Sequence, residues 1–514
     1  MIYFLNQYIK ALNSSVEHAE FKRLALFKHE RVNAKIVTRD YDNLGHLNAA
    51  TFGLNQDDVL NMYDYFQGTT DVTEKTTSFK TLKVPIRYQL HYGSDVTQAF
   101  DGGRLAFEIH HTPGRVGEIA SVDHFDAFGH VVKRDLWDSR GFKSATQFLD
   151  FDGDPHTEIL YHQDGTRALE RFYEVTDDHQ GKVLFNFHLI NYRGNDYYFN
   201  TEDDLFTFFL DELNQQVKGQ NVFIADRPVA TDIPMLHMKT RAKKYLFFPI
   251  LHAANPEDLV HSDLEPSYQE VFNHLDKLDG LITMTESQAN QIRIRLKHQK
   301  GKGRNIKITV IPGAYVPNDR LKTQPVSPRQ KANRVIYVGR LGADKGVDNL
   351  LRAFALVVPQ VPDAVLDIRG FGDQAFLDSL HQLADQLQIA DHVELNGYTA
   401  DIDPAYDAAK VFVSAAHQDA FPLAMVEALS HGLPVVAFDT NFGPKQIITD
   451  GVNGFLMAPG DLYGFAQQVI ALLTKGRQLQ DMGANAFNSA KDYDAKHIWK
   501  QWKTTGILNG GQRK

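Results

Sequence analysis

Cysteine is absent from this 514-residue chain, and tryptophan nearly so, with three. Without a thiol there is no disulfide scaffold, no cysteine nucleophile, no thiolate zinc site and no iron–sulfur cluster. Long apolar runs are missing too. Nowhere do about 18 apolar residues follow one another, so no transmembrane helix is expected. The opening Met1–Leu5 stretch is interrupted by Asn6 and Gln7, too early for a signal peptide. A cytoplasmic location is the expectation, at most at the inner face of the cell membrane. An excess of basic residues is also lacking. Lys and Arg number 54 against 64 Asp and Glu, a net charge of -10, which argues against a nucleic-acid partner.

What is present is ordinary globular composition, 43% hydrophobic and 23% charged. The length suggests about three domains. Residues 1–75 read as strand, helix, strand, an α/β order. From 76 to 200 the helical period gives way to alternating runs such as RLAFEIHH and KVLFNFHLINY, with a hairpin signal at Asp164–Gly165. That block reads as an antiparallel insertion. The α/β rhythm returns over 201–320. Pro312, Pro317, Pro325 and Pro328 then suggest a linker. From about 330 to 490, short apolar runs (VIYVG, LDIRG, VFVSAA, PVVAFD) alternate with helical stretches, as in a doubly wound parallel sheet. Residues 491–514 form a terminal helix and tail. The fold class is thus α/β: two Rossmann-like domains facing a cleft, with a β-rich insertion in the first. Ligands in such folds bind at the carboxyl ends of strands.

Four segments at strand ends could carry chemistry. Arg340 and Lys345, in VGRLGADKG, lie where two cations and a helix start would bind a diphosphate; the alternative is a solvated turn. Asp419 and Glu427 flank a helix predicted to begin near Pro422, with Glu427 in its second turn. Carboxylates there can hold sugar hydroxyls, and the backbone of Phe421, Pro422 and Leu423 leads into the helix start, with amide donors from Phe421 and Leu423 only; the alternative is a cap plus an exposed glutamate. His252 closes an apolar run and could bond a sugar hydroxyl or share a proton, or be structural. Ser14 and Ser15 in NSSVEHAE could approach a phosphate or sugar, or simply cap a helix. The Asp150–Asp154 run resembles a metal loop but lacks the downstream glutamate, and a turn is expected. Trp499 and Trp502 could touch a membrane surface, but a helix packed back across the two halves is the expectation.

Together Arg340, Lys345, the DAFPLAMVE run and the GLPVVAFD strand resemble retaining GT-B glycosyltransferases that use nucleotide sugars. Where that group has two glutamates spaced by seven residues, this chain has Asp419 and Glu427. NSSVEHAE, the β-rich block and FIADRP (223–228) resemble two narrower bacterial groups: poly(glycerol-phosphate) α-glucosyltransferases of teichoic acids, and enzymes that add N-acetylglucosamine to serine-rich adhesins with a partner subunit. The NFGPKQIITDGVNGFL segment (441–456) leans toward the former group. The resemblance implies roles. Arg340 and Lys345 grip the donor diphosphate and stabilise the leaving group. Glu427 binds ribose, Asp419 the transferred sugar, and His252 lies near the reacting centre. Ser14 and Ser15 line the donor or acceptor side, and the Phe421–Leu423 segment belongs to the donor site. No metal or other cofactor is implied, only a UDP-sugar substrate.

Teichoic acid glucosylation from UDP-glucose is the leading expectation. The alternatives are O-linked N-acetylglucosamine transfer to an adhesin and a non-catalytic glycan-binding subunit. The expected partners are a UDP-sugar, an anionic glycopolymer or serine-rich protein, and a second copy through the insertion. The basic run 292–304 could guide a polyanion or be no more than a solvated helix and loop.

Overall fold

The computed structural model describes all residues except 116, 177–181, 218, 299–302, 304, 328–331 and 511–514. Much of the loop end of the basic run 292–304, together with Pro328 and the last four residues of the tail, therefore lies outside the described residues.

Three sheets organise the described chain. The first is parallel and has seven strands. Ile2–Asn6 is central, flanked on one side by Ala34–Thr38 and Val59–Asn61. On the other side run Val222–Ala225, Lys243–Phe247, Gly280–Thr283 and Ile308–Val310. The direction of strand addition reverses between Ile2–Asn6 and Val222–Ala225, and such a switch point opens a crevice. The second parallel sheet has six strands, in the order Val393–Gly397, Val365–Arg369, Arg334–Val338, Val411–Ser414, Val435–Phe438 and Gly454–Met457. Its switch point lies between Arg334–Val338 and Val411–Ser414. Both central strands are buried along nearly all their length, which explains their unbroken apolar runs.

Between Gln89 and Phe199 runs a ten-stranded antiparallel meander in which each strand pairs with its sequence neighbour. It has a small core of its own around Ile109, Ile119 and Val122, and the rest of its inner face joins the core of the first α/β unit. Ala145, Leu160, Leu169, Phe187 and Leu189 pack with Met62, Tyr63, Phe66, Phe206 and Phe209 of the first α/β unit. The helices Met62–Gln67 and Glu202–Gln216 that bracket the insertion therefore seat it on the first sheet. Asp164–Gly165 makes the expected hairpin, with Gly165 at φ 87° donating to the His162 carbonyl.

One expectation changes and one is met. The proline-rich segment is not a loose linker: Ile311, Ala314, Tyr315 and Val316 are buried, and Asn318–Lys322 is helical. Trp499 and Trp502, on the helix Ala495–Thr504, are buried and offer nothing to a membrane. Each packs edge-on against Phe27 of the first half, with ring centroids 5.1 Å apart. Each such aromatic pair adds about 0.5–1.5 kcal/mol beyond its area burial. The final helix thus straps the second half to the first. Among the described residues no helix is long and apolar enough to cross a membrane.

Candidate active site

The switch point of the second sheet brings two sequence-predicted residues together. Lys345 ends a short 3-10 turn, Ala343–Lys345, after the strand Arg334–Val338. Gly346 follows at φ 60°, and a Cβ there would lie 2.0 Å from the Ala415 carbonyl oxygen, so only glycine lets the two loops touch. Asp419 lies on the loop after Val411–Ser414. Lys345 Nζ donates to Asp419 Oδ2 at 2.8 Å, and both side chains keep about a fifth of their surface exposed (20% and 23%). Arg340 stays apart from this pair and donates to both oxygens of Asp344 at 2.7 Å. Each candidate cation thus has a carboxylate partner, and a diphosphate would have to replace those partners.

The helix Leu423–Ser430 starts after Pro422, as the sequence suggested. Phe421 and Leu423 are buried core residues, so only their backbone is available to a ligand. Asp419 is clamped from behind: its carbonyl accepts from Phe442 (2.9 Å) and Gly443 (3.1 Å). Glu427 accepts from the Tyr406 hydroxyl at 3.0 Å and from Lys22. Burial alone would raise the Glu427 carboxyl, but Lys22, His18 and Tyr406 hold it below the usual carboxylate range.

His252 does not close a strand. The strand Lys243–Phe247 ends earlier, and His252 sits in the following loop with no exposed surface. Its Nε2 lies 3.0 Å from the Leu259 carbonyl oxygen. A carbonyl only accepts, so Nε2 carries the proton and Nδ1 is left as a buried acceptor with no partner among the described residues. The ring stacks on Phe442, centroids 6.2 Å apart, which joins it to the Asp419 loop. Burial first, then the Arg295 charge, push its pKa down to about 4 against the pull of the Leu259 carbonyl. The unfolded value is near 6.5, so the unfolded chain binds the extra proton first. Stability contributed by neutral His252 is expected to be full above about pH 6.5 and to fall as pH drops toward 4, with a slope of at most about 1.4 kcal/mol per unit. Denaturant unfolding at pH 7, 5.5 and 4.5 checks this, because His252→Ala should flatten that part of the slope.

Ser14 is a helix cap. Its Oγ accepts from the Val16 amide, and Glu17 closes a capping box on the Ser14 amide at 2.9 Å. Arg227 of the FIADRP motif donates to Ser14 Oγ at 3.1 Å and bonds Glu17. Ser15 is exposed at the helix start. Asp226 of the same motif pairs with Arg23 at 2.6 Å, both buried. The motif therefore pins the first helix, Ser15–His29, at the switch point of the first sheet.

The basic run also has structural duties. Arg293 bonds Glu286 and Asn290, and Arg295 bonds the carbonyls of Leu259 and Ser262. Neither is a free cation for a polyanion. Asp150 forms a turn, accepting from the amides of Asp152 and Asp154 and from Lys182, and no metal-ligand cluster occurs among the described residues.

Sequence reasoning missed His18, Lys22, Tyr398, Tyr406 and Phe442. His18 and Lys22 are four residues apart on one helix and so share a face, which was legible; what they face was not. A groove of about 700 Å³ lies elsewhere, between Glu286–His298, the edge strand Ile308–Val310 and the terminal helix. Its Arg293 and Lys307 are already bonded, to Glu286 and to the carbonyls of Thr504 and Thr505. It sits at the sheet edge, away from both switch points, and is not the candidate site.

Comparison with known proteins bears on the fold. Residues 319–489 match the family described as Glycosyl transferases group 1. The chain is 26% identical over 524 residues to the UDP-N-acetylglucosamine–peptide N-acetylglucosaminyltransferase GtfA subunit of Streptococcus gordonii, covering 98% of this chain and 97% of that one. It is 25% identical over 302 residues to the poly(glycerol-phosphate) alpha-glucosyltransferase of Bacillus subtilis, covering 59% of this chain and 43% of that one. The crystal structure of the pneumococcal O-GlcNAc transferase GtfA, in complex with UDP and GlcNAc, superposes with a TM-score of 0.85 at 19% identity and 98% coverage of both chains. The fold is GT-B, two Rossmann-like units with an antiparallel insertion, and the likeness to both bacterial groups read from the sequence holds.

Proposed function

We propose that this chain transfers a hexosyl unit from a UDP-sugar to an external hydroxyl, with retention of the anomeric configuration. The Lys345–Asp419 pair across the switch point of the second sheet is the observation that carries this reading. A bound diphosphate takes over Lys345 and Arg340, whose charges then stabilise the departing UDP. Asp419, released from Lys345, turns its oxygens to hydroxyls of the transferred sugar. Glu427, held ionised, accepts from the ribose diol. The unpartnered Nδ1 of His252 accepts from a sugar hydroxyl near the reacting centre. Two cations neutralise the diphosphate, so the reading includes no metal.

For the acceptor we favour a serine or threonine hydroxyl of a cell-surface protein, with UDP-N-acetylglucosamine as donor. The correspondence with the S. gordonii protein along both whole chains supports this, and its designation as a subunit supports a partner chain. The second reading is glucose transfer to a poly(glycerol- or ribitol-phosphate) chain, supported by the B. subtilis relative over a shorter stretch. A purely binding subunit is disfavoured, because Arg340, Lys345 and Glu427 are all in place.

A UDP-release assay tests these readings. It crosses UDP-glucose and UDP-N-acetylglucosamine with a serine-rich adhesin peptide and with purified teichoic acid. Release from UDP-N-acetylglucosamine only with the peptide is the expected result. Release from UDP-glucose only with teichoic acid would select the second reading. Silence in every well, with UDP itself failing to bind, would overturn both.

A further inference from the structure

The first helix reaches across the cleft at two points. Lys22 Nζ lies 2.5 Å from Glu427 Oε1, 405 residues away in sequence. One turn earlier, His18 Nε2 lies 3.0 Å from the Tyr398 hydroxyl, which follows the strand Val393–Gly397 of the second half. Tyr406 occupies the other Glu427 oxygen. Both oxygens of the carboxylate are therefore taken, one by a cation from the opposite half. The Lys22 and Glu427 side chains keep 25% and 23% of their surface, so a ligand can reach the pair. The helix beneath is fixed. Asp226 holds Arg23, Asn6 donates to Glu20 at 2.7 Å, and Arg227 holds Glu17. Rearrangement at Glu427 thus falls on the flexible four-carbon stem of Lys22 rather than on the helix.

A ribose diol presents two donors and needs the carboxylate free to accept them. We propose that Lys22 is an interdomain latch, holding the two halves together through Glu427 and yielding that carboxylate when a nucleoside diphosphate binds. The latch rests on the assignment of Glu427 to ribose made above. Lys22 is a positioning residue here: it competes with the ligand and takes no part in the transfer. The Tyr398–His18 contact is weaker support for the same closure. Burial, ahead of the opposing Glu427 charge, holds His18 below its ordinary value.

The absence of cysteine makes a clean test available. Thr51 and Gln382 are exposed on helices of opposite halves, and Thr51→Cys with Gln382→Cys accepts a pair of spin labels. Distances are measured without nucleotide, and UDP is titrated calorimetrically into the unlabelled proteins. In Lys22→Met the distance distribution should gain a longer population, and UDP should bind about three- to tenfold more tightly because its competitor is gone. Lys22→Arg, which keeps the cation, should match the wild type in both. Either an unchanged distance distribution or a UDP affinity no better than wild type in Lys22→Met overturns the latch. If the wild type fails to bind UDP, the ribose assignment falls instead, and the distances alone decide whether Lys22 holds the halves together.

Discussion

Lys345→Ala lowers kcat/KM by about 10²-fold to 10³-fold, the usual result of removing one donor aimed at developing charge. The local geometry sets the sign and the size. Lys345 is placed by the turn that Gly346 closes against Ala415, which fixes where its charge lies. Its removal also leaves Asp419 without its 2.8 Å partner, beside the place where the diphosphate would sit. An attraction is lost and a repulsion uncovered, so UDP affinity falls with the rate, by about tenfold. Folding stability should hardly change, because a partly exposed pair of this kind contributes about 0–1 kcal/mol. Lys345→Arg should restore part of the rate, since the charge returns with a different reach. Steady-state UDP release, calorimetric UDP binding and a thermal melt separate these effects. A rate near wild type in Lys345→Ala would place the diphosphate elsewhere in the molecule.

His252→Ala has the second largest effect and a different signature. Transfer falls by about 10-fold to 100-fold while UDP binds as before. His252 touches neither Lys345 nor Glu427. Among the described residues it is joined to the Asp419 loop by the Phe442 ring stacked on it; the Phe442 amide donates to the Asp419 carbonyl. The Leu259 carbonyl loses the imidazole but keeps Arg295 as a donor at 3.1 Å, so no buried acceptor is stranded. The remaining cost is a small cavity beside Phe442, about 1–3 kcal/mol. The variant should therefore fold and bind nucleotide. If UDP affinity drops in step with turnover, His252 is a packing residue that shapes the Asp419 loop, and its free Nδ1 has no catalytic meaning.

The sequence by itself determined the architecture and the local setting of most candidate residues. Unbroken apolar strands separated by helices fit a parallel sheet buried on both faces, and alternating runs over 76–200 read as a half-exposed antiparallel one. Strand-to-helix turns placed Lys345 and Asp419 at strand ends and Glu427 in the second turn of its helix, because those positions follow from periods of two and 3.6. Periodicity records which face of an element is buried and is silent on what buries it. Tertiary structure alone decided that Lys345 meets Asp419, 74 residues on, and that Lys22 and His18 meet Glu427 and Tyr398 across the cleft. It also decided that His252 is buried behind Phe442, and that Phe27 is the ring on which Trp499 and Trp502 close. The physical reason is common to all of these. A charge or an aromatic ring gains its energy only from the neighbour it reaches, and that neighbour is set by how whole sheets pack, not by the residues beside it in the chain.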